Sequence, residues 1–149
     1  MSKVTDIQVA LNSLISATLP AYDILPDSID PTDNTWINLD KGFSTSYGAA
    51  ENNSGDICND SFRIQRNFPF ILTNIYIPNY DPTYRLTIER SLMEDQYSVI
   101  SAIESSITLG GLAINMRYSG DSGIEYLLGE TKQFIALVSD ITIEYIERF

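Results

Sequence analysis

The strongest strand signal in the chain lies in residues 62–77, FRIQRNFPFILTNIYI. In its first half Phe62, Ile64 and Phe68 alternate with polar side chains, which is typical of a strand with one buried and one solvated face. In its second half apolar side chains occupy both faces, so each face must be covered, either by the protein's own helices or by a neighbouring subunit. Pro69 predicts a bulge or an edge position, because proline has no N–H to donate to a sheet.

Two helices are predicted from apolar residues at helical spacing. The first begins at a capping box, Thr5-Asp6-Ile7-Gln8, and ends at Pro20. The second fills the run from Thr83 to Leu109, which contains neither proline nor glycine, and stops at Gly110-Gly111. Each helix carries an apolar stripe that must pack on another element. The stripes are Ile7, Ala10, Leu11, Leu14 and Ile15 in the first helix, and Leu92, Met93, Gln96, Val99, Ile100 and Ile103 in the second.

Short strands and polar connections are predicted in the first 60 residues. Residues 20–33 form an acidic connector that contains three prolines and four aspartates. Residues 36–39 indicate one short strand, and residues 43–48 indicate a second. The stretch 49–60 is rich in Asn, Ser, Gly and Asp, which predicts an exposed mobile loop.

The C-terminal third of the chain predicts more sheet. Residues 112–118 and 124–128 flank a polar, glycine-containing turn, which is the pattern of a hairpin. In the last strand the alternation of apolar residues changes phase at Ser139-Asp140, which predicts a bulge there. The chain shows no internal repeat and no domain boundary. We therefore predict one α+β domain over residues 1–149, with helices packed on a mixed or mostly antiparallel sheet.

The charge of the chain restricts its partners. Twenty acidic and nine basic residues give a formal charge of -11, of which -7 falls in residues 1–60 and -4 in residues 61–149. The nine bases are scattered and cannot displace counterions along a phosphate backbone, so specific nucleic-acid binding is not expected. Anionic membrane surfaces are disfavoured for the same reason. No stretch predicts a signal peptide or a membrane span.

Residues for side-chain catalysis are scarce. The chain has no histidine, which excludes a serine triad and most zinc sites. Cys58 is its only cysteine, so an internal disulfide and a cysteine-rich metal site are excluded as well. Asp27, Asp30 and Asp33 lack the alternation, the glycine and the final glutamate of a calcium loop, so a solvated acidic loop is expected. We therefore expect no enzymatic activity, no cofactor and no metal.

One enzyme hypothesis rests on Asp121-Ser122-Gly123. A short Asp-Ser-Gly turn is the core of small dimeric aspartic proteases, in which two aspartates share a proton. Those proteases have apolar residues before the aspartate and a small residue after the glycine, whereas this chain has Tyr118-Ser119-Gly120 before and Ile124 after. An ordinary hairpin turn explains the same residues.

Arg66 is in phase with the apolar side chains of the strong strand. Its guanidinium therefore either reaches water where the strand twists at Pro69, or meets a carboxylate across a subunit boundary. A neighbouring subunit that covered this strand would also contact its second half. The predicted interface residues are Arg66, Phe70, Leu72, Ile75 and Ile77.

The order of the elements resembles that of a known family. After the first helix and the acidic connector come the strand Asn34-Thr35-Trp36-Ile37-Asn38-Leu39, the polar loop, the strong strand, the long helix, the hairpin, and the strand of residues 140–147, DITIEYIE. Over nearly the whole chain this layout resembles the tail terminator proteins of long-tailed bacteriophages. The resemblance rests on the order of elements and carries no signature residue.

The resemblance implies a structural virion protein at the junction of tail and neck, assembled in the host cytoplasm. Proteins of that family form a ring, usually of six subunits, that caps the tail tube and joins it to the head. The implied partners are further copies of the chain, the tail tube protein and the neck or connector proteins, and DNA passes through without specific binding. Two alternatives stay open: another neck or head-completion connector, which would share the composition, and a small aspartic protease that uses Asp121.

Overall fold

The computed structural model describes residues 2–25, 40–52, 61–76, 81–128 and 133–148. These residues form two α-helices, six strands and one 3-10 turn. In chain order the elements are α1 (Lys3–Thr18), β1 (Asp23–Ile24), β2 (Lys41–Thr45), β3 (Ala50–Asn52), β4 (Ser61–Tyr76), α2 (Tyr84–Ser105), the 3-10 turn Leu109–Gly111, β5 (Asn115–Leu128) and β6 (Gln133–Arg148).

The six strands form one mixed sheet. Its order is β1-β2-β4-β6-β5, and β3 pairs with β4 next to β2. β1 runs parallel to β2, and the other pairings are antiparallel. At the centre, sixteen consecutive pairs join β4 to β6, from Ser61 opposite Arg148 to Tyr76 opposite Gln133. The predicted α+β domain with helices on a mixed sheet is confirmed.

Both helices pack on the same face of this sheet, and the two predicted stripes form the core. Complete burial of an aliphatic or aromatic side chain stabilises a fold by about 1.5–3 kcal/mol. Met93 is an exception to the predicted stripe of α2, because it is 42 % exposed. The helices contribute Ile7, Leu11, Ile15, Leu92, Val99 and Ile103 to the core, and β4 and β6 contribute Phe68, Phe70, Leu72, Ile135, Leu137, Ile141, Ile143 and Tyr145.

The predicted capping box of α1 is wrong. The helix begins at Lys3 with Ser2 as its N-cap, and the Ser2 side chain makes no capping hydrogen bond. The Gln8 amide has a tertiary partner instead, since its Nε2 donates to the backbone carbonyl of Thr45 at 3.3 Å. This carbonyl lies at the end of β2, so Gln8 ties the helix to the sheet.

The long helix α2 is confirmed, but it ends before the two glycines. Its last residue is Ser105. Gly110 and Gly111 occupy the 3-10 turn that follows, with φ angles of 68° and 92°. Glycine adopts positive φ without steric cost, so these residues turn the chain toward β5 and do not stop the helix.

Pro69 lies within a central strand and not at an edge. It pairs with Asp140 of β6 in an unshifted ladder, and its carbonyl accepts a hydrogen bond from the Ser46 N–H at 3.0 Å. The proline nitrogen, which carries no hydrogen to donate, also faces Ser46, immediately after β2 ends. The irregularity lies in that neighbouring segment, where residues 46–49 stand opposite residues 67–69. The proline thus marks the break between β2 and β3.

β5 is one bulged strand and not the predicted hairpin. It pairs with β6 along its length, with register shifts between Tyr118 and Gly120 and between Asp121 and Ile124. Gly120 has φ 140° and Gly123 has φ 82°, which are conformations that favour glycine. The two glycines therefore allow the strand to bulge and continue instead of reversing.

The predicted bulge at Ser139-Asp140 in β6 is also wrong. β6 pairs with β4 without a shift, and the irregularities lie opposite it, in β5. The apolar pattern changes phase for another reason: both faces of β6 are buried at residues 134–137, whereas beyond Ser139 mainly the face toward the helices is buried.

The short strands of the first half differ from the prediction in their limits. β2 begins two residues before the predicted start of its strand and ends at Thr45. Part of the predicted loop is strand β3, which pairs with residues 64–66 of β4. The remainder of that loop, residues 53–60, and the strand predicted at residues 36–39 lie outside the described residues.

The start of the predicted acidic connector belongs to the fold. Tyr22 is buried, and its hydroxyl donates to the Asp95 carboxylate of α2 at 2.5 Å. Burial and this neighbouring carboxylate raise the pKa of Tyr22, so the hydroxyl remains a donor. Residues 26–33 of the connector lie outside the described residues.

A substitution at Gly48 tests the close approach beside Pro69. A Cβ at this position would lie 2.6 Å from the backbone oxygen of Asn67, so Gly48→Ala should destabilise the protein by about 1–3 kcal/mol through overpacking. Urea denaturation measures the loss. Ser46→Ala, at an exposed position two residues away, is the matched control and should leave the midpoint nearly unchanged. An unchanged midpoint for Gly48→Ala would contradict the packing described.

Candidate assembly surface

The sheet has a second face, turned away from α1 and α2, which we call the far face. Side chains alternate across a strand, and Phe68, Phe70 and Leu72 of β4 point toward the helices. The odd-numbered residues of β4 therefore point to the far face. The residues of β6 that pair with these odd-numbered residues point to the same face. So do the residues of β5 that pair with those residues of β6.

One half of the far face is polar. Arg63 forms an ion pair with Glu144, and the Asn67 amide donates to the Asp140 carboxylate at 3.3 Å. A hollow of about 110 Å³ lies among side chains from β4, β5 and β6. We define the polar patch as Arg63, Gln65, Asn67, Asn115, Arg117, Asp140, Thr142 and Glu144.

The other half of the far face is apolar. Thr73, Phe134 and Ala136 are buried there, although the helices lie on the opposite side. Part of the cover comes from Leu25, whose side chain would lie within 2.4 Å of a Cβ added at Gly42. Ile71 and Val138, between these buried residues and the polar patch, are only half-buried, and so is Ile75, which lies beyond Thr73 and opposite Phe134. We define the apolar strip as Ile71, Ile75 and Val138.

The predicted interface residues lie in different parts of the structure. Phe70 and Leu72 point toward the helices and are 1 % and 0 % exposed, so they belong to the chain's own core and have no surface for another subunit. Ile75 lies in the apolar strip, opposite Phe134 in the ladder. Ile77 lies outside the described residues.

Arg66 has its partners within the chain. Its Nη1 donates to the Gly48 carbonyl at 2.9 Å, and its Nε donates to the Tyr145 hydroxyl at 3.2 Å. The side chain is half-buried beside β3. These two neutral acceptors hold the guanidinium at the end of the core. A contact of Arg66 with another subunit stays a prediction.

Asp121 belongs to a polar network between β5 and α2. Its carboxylate accepts from the Tyr118 hydroxyl at 2.6 Å, from the Gln96 amide at 3.2 Å and from the Gly123 N–H at 2.9 Å. The Gln96 amide also donates to the buried Ser139 hydroxyl at 2.8 Å. Gln96 is itself buried, and its only sequence signal was a polar residue inside an apolar stripe.

These hydrogen bonds set the charge state of the network. Donation from Tyr118, and then from Gln96, lowers the pKa of Asp121, while burial and the Asp121 carboxylate raise the pKa of Tyr118 to about 12. Asp121 is thus an ionised acceptor that fixes the bulges of β5 to the helix. An aspartic protease needs a carboxyl that holds a proton shared with a second aspartate. The arrangement around Asp121 favours a structural role for this residue.

A second concave region lies between the start of α1, the 3-10 turn and the end of β6. It encloses about 460 Å³. The backbone N–H of Lys3 donates to Glu147 at 3.1 Å there, so one acidic side chain already satisfies the start of the helix. Lys3, Asp6, Glu147 and Arg148 bring charges of both signs to the lining. This mixture does not define a ligand.

The remaining expectations concern metal sites and membrane spans, neither of which the sequence predicts, and residues outside the described ranges. Within the part of the chain that the structure describes, no three His, Cys, Asp or Glu side chains are grouped as metal ligands. Neither described helix is long and apolar enough to cross a membrane. Asp27, Asp30, Asp33 and Cys58 lie outside the described residues.

The fold and this surface define a class: a two-layer α+β domain with a long central ladder, helices on one face, and a far face divided into polar and apolar halves. Comparison of the chain with models of known protein families gives no match, and a comparison with curated protein sequences gives none either.

A neutral side chain at position 121 tests the network. Because folding lowers the pKa of Asp121, its carboxylate stabilises the fold at neutral pH, and this contribution is lost as the pH falls below about 4. Asp121→Asn should lower the free energy of unfolding at neutral pH by about 1 kcal/mol, a modest loss because the residue is exposed and screened. It should also make stability less dependent on acid pH. Denaturant titrations at several pH values measure both effects.

Glu125→Gln, an exposed substitution in the same strand, is the control for Asp121→Asn. It removes the same charge from β5 without touching Gln96 or Tyr118. If both variants lost equal stability, the effect would belong to net charge and not to the network.

Proposed function

We propose that the protein is a structural component of the virion of a long-tailed bacteriophage, a tail terminator that forms a ring, caps the tail tube and joins it to the head. The observation that carries the proposal is the far face, where half-buried apolar side chains border charged ones. Protein interfaces combine an apolar centre with a polar rim in this way. The apolar strip and the polar patch therefore suit contact with another protein better than contact with a small molecule.

The order of the elements supports the same proposal. The resemblance to tail terminators rests on a first helix, an acidic connector, a Trp-containing strand, a polar loop, the strong strand, a long helix, a hairpin and a C-terminal strand. α1, β4, α2 and the β5–β6 pair follow one another in this order, and the three strands belong to the one sheet on which both helices pack. The predicted hairpin is replaced by one bulged strand, and the Trp-containing strand lies outside the described residues, so the support comes from the remaining elements.

The requirements of a ring fit the far face. A closed ring needs a head-to-tail contact, in which two different surfaces of the subunit meet. Ile71, Ile75 and Val138 supply apolar area for one of them, while Phe70 and Leu72 are committed to the core. Arg63 and Arg117 of the polar patch lie beside Glu144, so the rim carries both signs of charge and can select a partner.

The charge of the chain fits a channel through which DNA passes. With a formal charge of -11, a ring of these subunits repels phosphates. The repulsion acts within roughly a Debye length, about 8 Å at physiological salt. An acidic lining of the ring would let DNA pass through the channel without being bound. Another neck or head-completion connector would have the same need, and binding to tail tubes separates the two roles.

Native mass spectrometry and electron microscopy, with and without tail tubes, test the ring. Wild-type protein should form a closed homo-oligomer, of six subunits by the resemblance, at least when tubes are present. Ile75→Asp should leave a folded chain that no longer assembles, because a charge in the apolar strip would be desolvated in the contact. Ile75→Ser is the milder second variant, for the case that Asp disturbs the packing beside Phe134.

Val9→Asp is the matched control, because Val9 is 56 % exposed on α1 and far from the apolar strip. It should assemble like wild type. Wild-type protein that stays monomeric in both conditions would refute the ring. A ring that does not bind tube ends would favour another connector.

A peptide-cleavage assay tests the absence of protease activity. We expect wild type and Asp121→Asn to be equally inactive, because Asp121 is held as an ionised acceptor by Tyr118 and Gln96. Cleavage by wild type that disappears in the variant would restore the protease hypothesis.

A further inference from the structure

Helix α2 carries a second stripe of side chains that faces solvent. Its members are separated alternately by four and three residues, which is the spacing of a coiled-coil seam. Three of them are large and exposed: Leu86 by 42 %, Met93 by 42 % and Tyr97 by 67 %. We define the outer stripe as Leu86, Arg90, Met93, Tyr97, Ile100 and Glu104.

The core does not require the outer stripe. The inner side of α2 already buries Leu92, Gln96, Val99 and Ile103 against the sheet. On the flank toward the outer stripe, the Tyr126 hydroxyl of β5 donates to the Glu89 carboxylate. On the opposite flank, the Tyr22 hydroxyl donates to the Asp95 carboxylate. Met93 and Tyr97 leave 42 % and 67 % of their surface exposed in this fold, although contact of such side chains with water is unfavourable.

The charges of the outer stripe are arranged by sign. Arg90 lies in the N-terminal half of α2 and Glu104 lies near its end, and both are exposed. Between them stand Met93, Tyr97 and Ile100. From Arg90 to Glu104 the stripe is therefore first positive, then apolar and finally negative. When two copies of the helix lie antiparallel, the positive end of each stripe therefore lies near the negative end of the other.

We propose that the outer stripe of α2 is the docking surface for a second copy of this chain, with the two α2 helices antiparallel. In an antiparallel seam Met93 packs against Tyr97 of the partner subunit around a two-fold axis. Arg90 then lies within one helical turn of the partner's Glu104. The reciprocal contacts repeat the same pairs, as an isologous interface requires.

Charge complementarity favours a second copy in this orientation. A parallel pair would place Arg90 beside Arg90 of the partner subunit and Glu104 beside the partner's Glu104, which is repulsive. The antiparallel pair turns both repulsions into attractions. It also buries the exposed aromatic and thioether side chains of both copies at the centre, where interfaces are enriched in tyrosine and methionine.

This contact is independent of the proposed ring. α2 and the apolar strip lie on opposite sides of the sheet, so one surface can be altered without the other. The dimer would be a property of the free protein or a link between two rings. If no dimer forms but rings still form on tubes, only the dimer proposal fails. If the dimer forms but rings do not, only the ring proposal fails.

Sedimentation velocity of the full chain over a range of concentrations tests the dimer. Arg90→Glu and Glu104→Arg should each raise the dimer dissociation constant by about tenfold to a hundredfold, because like charges then meet across the interface. The double variant Arg90→Glu with Glu104→Arg should recover most of the affinity, since the reversed charges meet again. The two single variants move the net charge in opposite directions. Weakening by both therefore separates local pairing from a general effect of charge.

Tyr97→Ser should also weaken the dimer, and it should cost little stability because Tyr97 is 67 % exposed. Ser98→Glu, an exposed change on the adjacent residue but away from the stripe, is the control and should dimerise like wild type. Circular dichroism melts establish that each variant is folded.

Three outcomes would overturn the proposal. Wild type could remain monomeric at every concentration, which would leave the stripe to some other partner. It could dimerise without any response to the three stripe variants, which would place the interface elsewhere. The double variant could fail to recover, which would exclude the antiparallel pairing of Arg90 with Glu104.

Discussion

Sixteen consecutive pairs join β4 to β6, and the positions of the other elements follow from this ladder. Because its register has no shift, every second residue of both strands points toward the helices over the full length. Phe68, Phe70 and Leu72 thereby line up with Ile141, Ser139 and Leu137, and both helical stripes find one continuous apolar surface. The irregularities are displaced to the neighbours: the break between β2 and β3 on one side, and the two bulges of β5 on the other.

The same ladder gives the protein two faces with different tasks. The helix side holds the core, and Gln96, a large polar group that is buried there, is satisfied by Ser139 and Asp121. The far face carries cross-strand charge pairs such as Arg63 with Glu144, which contribute little to stability at an exposed site. These pairs suit recognition, because charged groups at the rim of an interface select and orient a partner more than they increase the binding affinity.

The sequence predicted what depends on local periodicity and missed what depends on distant partners. Helical spacing identified the buried residues of α1 and α2, and alternation identified β4. Gly120 and Gly123 suit a turn as well as a bulge, and only pairing with β6 distinguishes the two. Apolar character led to the prediction that Phe70 and Leu72 contact another subunit, whereas both pack in the chain's own core, because the pattern does not distinguish a helix from a subunit as the cover. The acceptors of Arg66, a backbone carbonyl and Tyr145, carry no local signal at all.

The outer stripe of α2 shows how a strongly acidic chain can still recognise itself. Copies with a formal charge of -11 repel one another at long range, and salt screens that repulsion beyond a distance of about 8 Å. Contact between Arg90 and Glu104 acts at shorter range, in an interface from which water is partly removed, where screening is weaker. Net charge thus lowers the rate of encounter without deciding which surfaces fit. The order of charges along one helix decides that, because it is attractive in one orientation and repulsive in the other.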